Sequence, residues 1–131
     1  APRDYPGARP LDQPETAALA AYTCCVRPEL VLAYHTQGKA IYWQFRDCQV
    51  PGAQALAREF SRVSGYRMEN TPYESSFAGY KDWFIQNFDR PGYTIECGLG
   101  ENPLPLSQFE SIYRDNLGIL TTAALGLPEK S

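Results

Sequence analysis

The 131-residue chain lacks several features that mark large classes of proteins. Basic residues are not in excess, because twelve Lys and Arg against fifteen Asp and Glu give a net charge of −3. Surfaces that bind nucleic acid or anionic membranes need a basic patch, so neither partner is expected. No apolar run approaches the ~18 residues of a membrane span, and the first residues have no apolar signal-peptide core. These absences leave peptides, small molecules and other proteins as partners.

Common catalytic and metal-binding motifs are also missing. The sequence contains no H-E-x-x-H, no Walker loop, no G-x-G-x-x-G, no G-x-S-x-G and no C-x-x-C. It has four cysteines, and Cys24 and Cys25 are adjacent, which is poor spacing for one zinc ion. We therefore expect free and mostly buried thiols. Free thiols favour a reducing compartment, and so the cytoplasm.

The pattern of apolar residues predicts an α/β domain. Helices are expected at 14–25, 51–64 and 77–88 and after a Ser107-x-x-Glu110 capping box, and strands at 30–34, 41–45 and 93–97. This alternation indicates a parallel or mixed sheet with helices packed on it. The run 30–34 is apolar throughout, which predicts a central strand buried on both faces. Residues 67–76 are expected to form a polar loop.

Two side chains at the ends of predicted strands are candidates for a site. His35 is the only histidine and follows the strand 30–34, where open α/β sheets place ligands. It is either a ligand or a hydrogen-bonded structural histidine, since zinc sites need three or four protein ligands. Glu96 interrupts the strand 93–97. It either faces solvent on an edge strand or faces a cleft, where its pKa would suit general base and acid chemistry.

Two further candidates lie around the predicted third helix. Tyr73, in the loop before it, is either a phenol that covers a substrate or an ordinary tyrosine. Lys81 lies early in the helix, where a cation opposes the helix dipole. It is either retained for a ligand anion or is a solvated surface lysine.

Several motifs in one order resemble a known family. They lie at residues 3–7 and 14–16, 32–38 (LAYHTQG), 79–84 (GYKDWF), 93–98 (YTIECG) and 102–105 (NPLP). Together they resemble the zinc carboxypeptidases, and in particular the bacterial γ-D-glutamyl-L-diamino acid endopeptidases that cut peptidoglycan stem peptides. The resemblance implies the C-terminal half of a mixed-sheet zinc-carboxypeptidase fold, a single partial domain over 1–131. It adds the cell wall as an alternative location.

The resemblance implies a role for each candidate residue. His35 matches the third zinc ligand of the family. Glu96 matches the catalytic glutamate, which takes a proton from zinc-bound water and passes one to the leaving amine. Tyr73 matches the mobile tyrosine that caps the substrate. Lys81 lies at the base of the pocket for the residue after the cut, where a cation suits an acidic group such as a diaminopimelate carboxylate.

The sequence departs from the family at the metal. The family binds zinc through a His-x-x-Glu pair and a distant His, and only the distant one, His35, is present. This chain alone is therefore expected to be inactive. Two main functions stay open: part of a zinc peptidase that acts on a peptide or muropeptide, or a non-catalytic remnant or binding module. A small Cys/His structural zinc domain is a further alternative.

The predicted half-sheet has a consequence for association. Half of a sheet exposes an edge and an apolar face. We therefore expect self-association, or pairing with an upstream fragment.

Overall fold

The computed structural model describes residues 7–77 and 79–126, so the first part of the resemblance, residues 3–6, lies outside them. The elements are α1 (Pro14–Val26), β1 (Val31–Thr36), β2 (Ala40–Tyr42), α2 (Ala53–Ser64), β3 (Arg67–Glu69), α3 (Tyr80–Phe88), β4 (Gly92–Cys97) and α4 (Phe109–Leu125). Short 3₁₀ turns at Tyr73–Ser75 and Leu106–Gln108 precede α3 and α4.

The strands form one mixed sheet in the order β1-β4-β2-β3. β1 is parallel to β4, β2 is antiparallel to β4, and β3 is parallel to β2. The α/β class with helices on a mixed sheet is confirmed. The central position of β1 is wrong for the part of the chain that the structure describes, because β1 lies at an edge there. Only Val31 of β1 is buried, and Tyr34 is 41% exposed.

The polar strand β3 was predicted as loop. It has three residues, and Arg67 and Glu69 pair with each other rather than with the core. Short, charged edge strands lack the apolar alternation that identifies a strand. The capping box was also wrong, because Ser107 lies within the 3₁₀ turn and Gln108 takes the N-cap position without a side-chain cap.

The hydrophobic core lies between one face of the sheet and α2 and α4. Its buried members are Ile41, Leu56, Ala57, Phe60, Tyr66, Tyr93, Ile95, Cys97 and Ile119. The two helices approach closely at Gly118, where a Cβ would lie 2.9 Å from Val63 Cβ and 3.2 Å from Val63 O. This contact is the physical reason for a glycine inside α4, since glycine otherwise weakens a helix.

The other face of the sheet is covered at one end by α3. A Cβ on Gly92 would lie 3.2 Å from Lys81 Cγ and from Val31 Cγ2, and 3.3 Å from Ile85 Cγ1. α3 therefore packs on the beginnings of β1 and β4. The ends of the same two strands stay accessible on this face, which positions the candidate site.

The cysteines are free, as expected, but they are not mostly buried. Cys97 is buried in the core, whereas Cys24 and Cys25 are exposed. The reason is that α1 buries only Ala20 and Thr23 against the rest of the described chain. Within the described segments, no helix is both long and apolar enough to cross a membrane.

Candidate active site

His35 and Glu96 are brought together by strand pairing. They are register partners in the parallel pair β1–β4. Neighbouring strands lie about 4.8 Å apart, and partners in register present their side chains on the same face. The sheet therefore places an imidazole and a carboxylate side by side at the ends of two strands. A hydrogen bond joins the turn after β1 to the residue that follows β4, with Gly38 N donating to Gly98 O at 2.9 Å.

Glu96 lies on a central strand, since β4 is between β1 and β2. The edge strand considered for it is therefore wrong, although its side chain remains partly exposed on the accessible face. Partial burial raises the pKa of the Glu96 carboxyl, and the charge of His35 opposes this. A carboxyl whose pKa lies above its usual range exchanges protons more readily near neutral pH. The surroundings of Glu96 are thus suited to general base and acid chemistry.

His35 is exposed, and no hydrogen bond joins its imidazole to the described part of the chain. It is not the hydrogen-bonded structural histidine considered above. No group of three or more His, Cys, Asp or Glu side chains in 7–77 and 79–126 is placed to hold a metal. Zinc takes three or four protein ligands. These residues therefore do not fit a complete zinc site, and His35 offers one ligand.

A second connection supports the end of β1. Thr36 Oγ1 donates to Asn102 Oδ1 at 2.9 Å, and Asn102 Nδ2 donates to the Thr36 carbonyl at 3.1 Å. Two segments that the resemblance singled out, 32–38 and 102–105, are thus joined in space. This double contact holds the residue after His35 in place.

Tyr73 is not brought to His35 and Glu96. It follows β3, which runs parallel to β2 and opposite to β4, so its loop lies at the end of the sheet where β4 begins. Gly92, the first residue of β4, and Glu96, the last but one, are about 13 Å apart at about 3.3 Å per residue. Tyr73 is 69% exposed and packs edge-on against Phe77, with ring centroids 5.0 Å apart.

Lys81 is buried, so the alternative prediction of a solvated surface lysine is wrong. Its relative exposure is 3%. Nζ donates to the Gln44 carbonyl at 2.8 Å, to Thr71 Oγ1 at 3.1 Å and to the Asp82 carboxylate. Burial lowers the pKa of the Lys81 ammonium, and Asp82 opposes this. An ammonium has three N–H donors, and all three are used inside the protein.

A cavity of about 140 Å³ adjoins this cluster. Its lining residues are Gln44, Arg46, Thr71, Tyr73 and Ser76. Gln44 and Thr71 belong to both, so the Lys81 ammonium supports two residues of the cavity lining. Arg46 was not among the predicted site residues. It lies in a loop after β2, where no periodic pattern marks functional side chains.

Comparison by sequence connects the chain with longer bacterial proteins. It is 53% identical over 118 residues to γ-D-glutamyl-L-diamino acid endopeptidase 1 of Lysinibacillus sphaericus. It is 40% identical over 121 residues to the uncharacterized protein YqgT of Bacillus subtilis (strain 168). The matches cover 90% and 92% of the chain but only 29% and 32% of the relatives. No family model matches the chain.

Comparison by structure shows the fold. Bovine thrombin-activatable fibrinolysis inhibitor, in complex with tick carboxypeptidase inhibitor, matches with a TM-score of 0.78 and 18% identity over 92% of the chain and 47% of its own. A second structure of thrombin-activatable fibrinolysis inhibitor matches with a TM-score of 0.76 and 18% identity, over 91% of the chain and 34% of its own. The chain therefore has the α/β fold found in part of the carboxypeptidase-fold proteins, and it is homologous to part of a γ-D-glutamyl-L-diamino acid endopeptidase.

Proposed function

We propose that this chain supplies part of the active site of a zinc peptidase, in which Glu96 transfers protons and His35 binds the metal. The observation that carries the proposal is the in-register pairing of His35 with Glu96 on a sheet of the carboxypeptidase fold. The name of the Lysinibacillus relative supports a substrate with a γ-D-glutamyl-L-diamino acid bond, as in peptidoglycan stem peptides.

Glu96 acts as the general base and acid. Its half-buried carboxylate takes a proton from the attacking water and later gives a proton to the leaving amine, and its raised pKa favours the first transfer. His35 contributes one metal ligand through its exposed imidazole. The other ligands come from outside the described residues, because these do not complete a zinc site.

Tyr73 and Lys81 serve the substrate side of the site. Tyr73 is exposed on a short turn, and its hydroxyl makes no hydrogen bond within the described chain, so it is available to a substrate that the turn covers. Lys81 supports the adjoining pocket, where two of its hydrogen bonds join α3 to the segments that follow β2 and β3 and the third goes to Asp82 of the same helix.

The test measures zinc content and hydrolysis of L-Ala-γ-D-Glu-meso-diaminopimelate by the full protein that contains this chain. Glu96→Gln should lower kcat by about 10²-fold or more and leave zinc content unchanged. His35→Ala should lower zinc content as well. Glu101→Gln, an exposed carboxylate, serves as the matched control and should change neither.

Two results would contradict the proposal. The first is a folded protein with neither zinc nor hydrolysis, which would support a non-catalytic binding module. The second is a Glu96→Gln variant with unchanged kcat, which would remove the proton-transfer role.

A further inference from the structure

We propose that Arg46 binds a carboxylate at the end of a substrate side chain, in the cavity that it lines with Tyr73. The assignment rests on the proposed peptidase function for the identity of the substrate. It transfers the recognition of an acidic group, predicted for Lys81, to a different residue.

Lys81 is not available for this role. Its ammonium is buried, is neutralised by Asp82, and gives its other two donors to the Gln44 carbonyl and Thr71 Oγ1. A substrate carboxylate would have to displace one of these acceptors. The displaced acceptor would stay buried without a hydrogen-bond donor, which costs free energy. The Lys81–Asp82 pair therefore holds Gln44 and Thr71 of the cavity lining in place and does not bind the ligand itself.

Arg46 has the donors that Lys81 lacks. None of the ion pairs among the described residues includes Arg46, and its guanidinium donates no hydrogen bond to them. The guanidinium carbon lies 5.3 Å from the ring centroid of Phe45 and 4.8 Å from that of Phe77. Both distances are within the range of cation–π attraction, which uses the faces of the rings and leaves the N–H groups of the guanidinium for a carboxylate.

The cavity has the size and chemistry for the end of a side chain. At about 140 Å³ it is much smaller than the ~300–1,000 Å³ of pockets for whole drug-sized ligands. Thr71 and Ser76 already donate their hydroxyl protons to backbone carbonyls, of Gln44 and Pro72. The hydroxyl of Tyr73, the guanidinium of Arg46 and the second N–H of the Gln44 amide remain as side-chain donors in the lining, and of these the guanidinium carries the charge that suits an anion.

The position of the cavity relates it to Glu96. Gly92 and Glu96 lie on the same face of β4, and Lys81, whose Nζ donates to the Gln44 carbonyl, lies against Gly92 there. The cavity therefore adjoins the same face of the sheet, about 13 Å from Glu96 by the strand rise. A substrate that reacts at Glu96 can place a carboxylate in the cavity if its side chain is long and ends in that group. Diaminopimelate has such a side chain, and lysine does not.

The experiment measures binding of free meso-diaminopimelate and of lysine to the protein by calorimetry and by NMR of the arginine Nε–Hε groups. Arg46→Gln should weaken diaminopimelate binding about tenfold or more, since it removes a charge-assisted contact. The control is Arg58→Gln, an exposed arginine that lines a second cavity of about 320 Å³, which shares only Gln44 with the first, and it should leave binding unchanged. Lysine should bind weakly to all three proteins.

The proposal is overturned if diaminopimelate does not bind, or if Arg46→Gln binds it as tightly as the unaltered protein. Hydrolysis separates this failure from that of the proposed function. Diaminopimelate binding that depends on Arg46, without hydrolysis, would support the carboxylate site and reject the peptidase. Hydrolysis with an unchanged preference for diaminopimelate over lysine peptides in Arg46→Gln would reject the carboxylate site alone.

Discussion

Replacing Lys81 with Met tests whether the buried ion pair holds the base of the pocket together. Met keeps an unbranched side chain of similar length and removes the ammonium. Asp82, which is 4% exposed, is then left with a buried carboxylate and no cation. Breaking a buried pair by removing one partner costs about 3–5 kcal/mol. Asp82 lies in the first turn of α3, where the helix dipole favours an acid, so we expect the lower end, about 3 kcal/mol.

The assay is equilibrium unfolding in urea. With an m-value of about 1–3 kcal/mol/M, a loss of about 3 kcal/mol lowers the urea midpoint by about 1–3 M. Asp82→Asn in the Lys81→Met background should cost less than the two single changes together, because the carboxylate is no longer left unpaired. The matched control is Lys39→Met, whose partner Asp115 lies 2.7 Å away with both side chains partly exposed, at 35% and 23%. It should cost no more than about 1 kcal/mol.

The reasoning fails if Lys81→Met is as mild as Lys39→Met and shows no coupling to Asp82. Lys81 would then not be fixed by the ion pair. Its ammonium would be free to meet a ligand, and the reason for assigning the substrate carboxylate to Arg46 would disappear.

Two further predictions concern alkaline stability and association. Burial raises the pKa of Tyr66 from 10.0 to about 12, so its stabilising contribution is complete below pH 10 and is lost as the pH rises to about 12, by about 3 kcal/mol. Tyr66→Phe should remove this loss from the pH dependence of unfolding, and an unchanged dependence would contradict it. The stacked rings of Phe109 and Tyr113 are 65% and 54% exposed on α4, which predicts association at micromolar concentration in sedimentation experiments. Phe109→Asp should weaken it, and an unaltered protein that stays monomeric would refute it.

The sequence was sufficient for the elements whose signals are local. Gly65 was expected just after α2, and it occupies the C-cap with a φ of 72°. β4 was recognised from its own residues. The position of β1 in the sheet was predicted wrongly. An apolar strand can be buried on both faces, but its sequence does not show which strands lie beside it. β3 was missed for the opposite reason, since its pairing with β2 and not its own composition makes it a strand.

The site was predictable to a similar extent. His35 and Glu96 were identified from their places at strand ends and from the resemblance, and the register of β1 and β4 makes them neighbours. The surroundings of Lys81 depend on Gln44 and Thr71, which are distant in sequence. No local pattern encodes such contacts, so a buried lysine and a surface lysine look alike in the sequence. The place of Arg46 in the cavity lining also depends on contacts between distant residues, so the sequence did not predict it.

The register between β1 and β4 also bears on how this sequence can change. A slip of one residue along a strand turns every side chain to the opposite face. Insertions or deletions in the loops between Thr36 and Gly92 do not shift the register that pairs His35 with Glu96. A single insertion inside β1 or β4 would separate them. Length variation should therefore be tolerated in the connecting loops and be excluded from the paired strands.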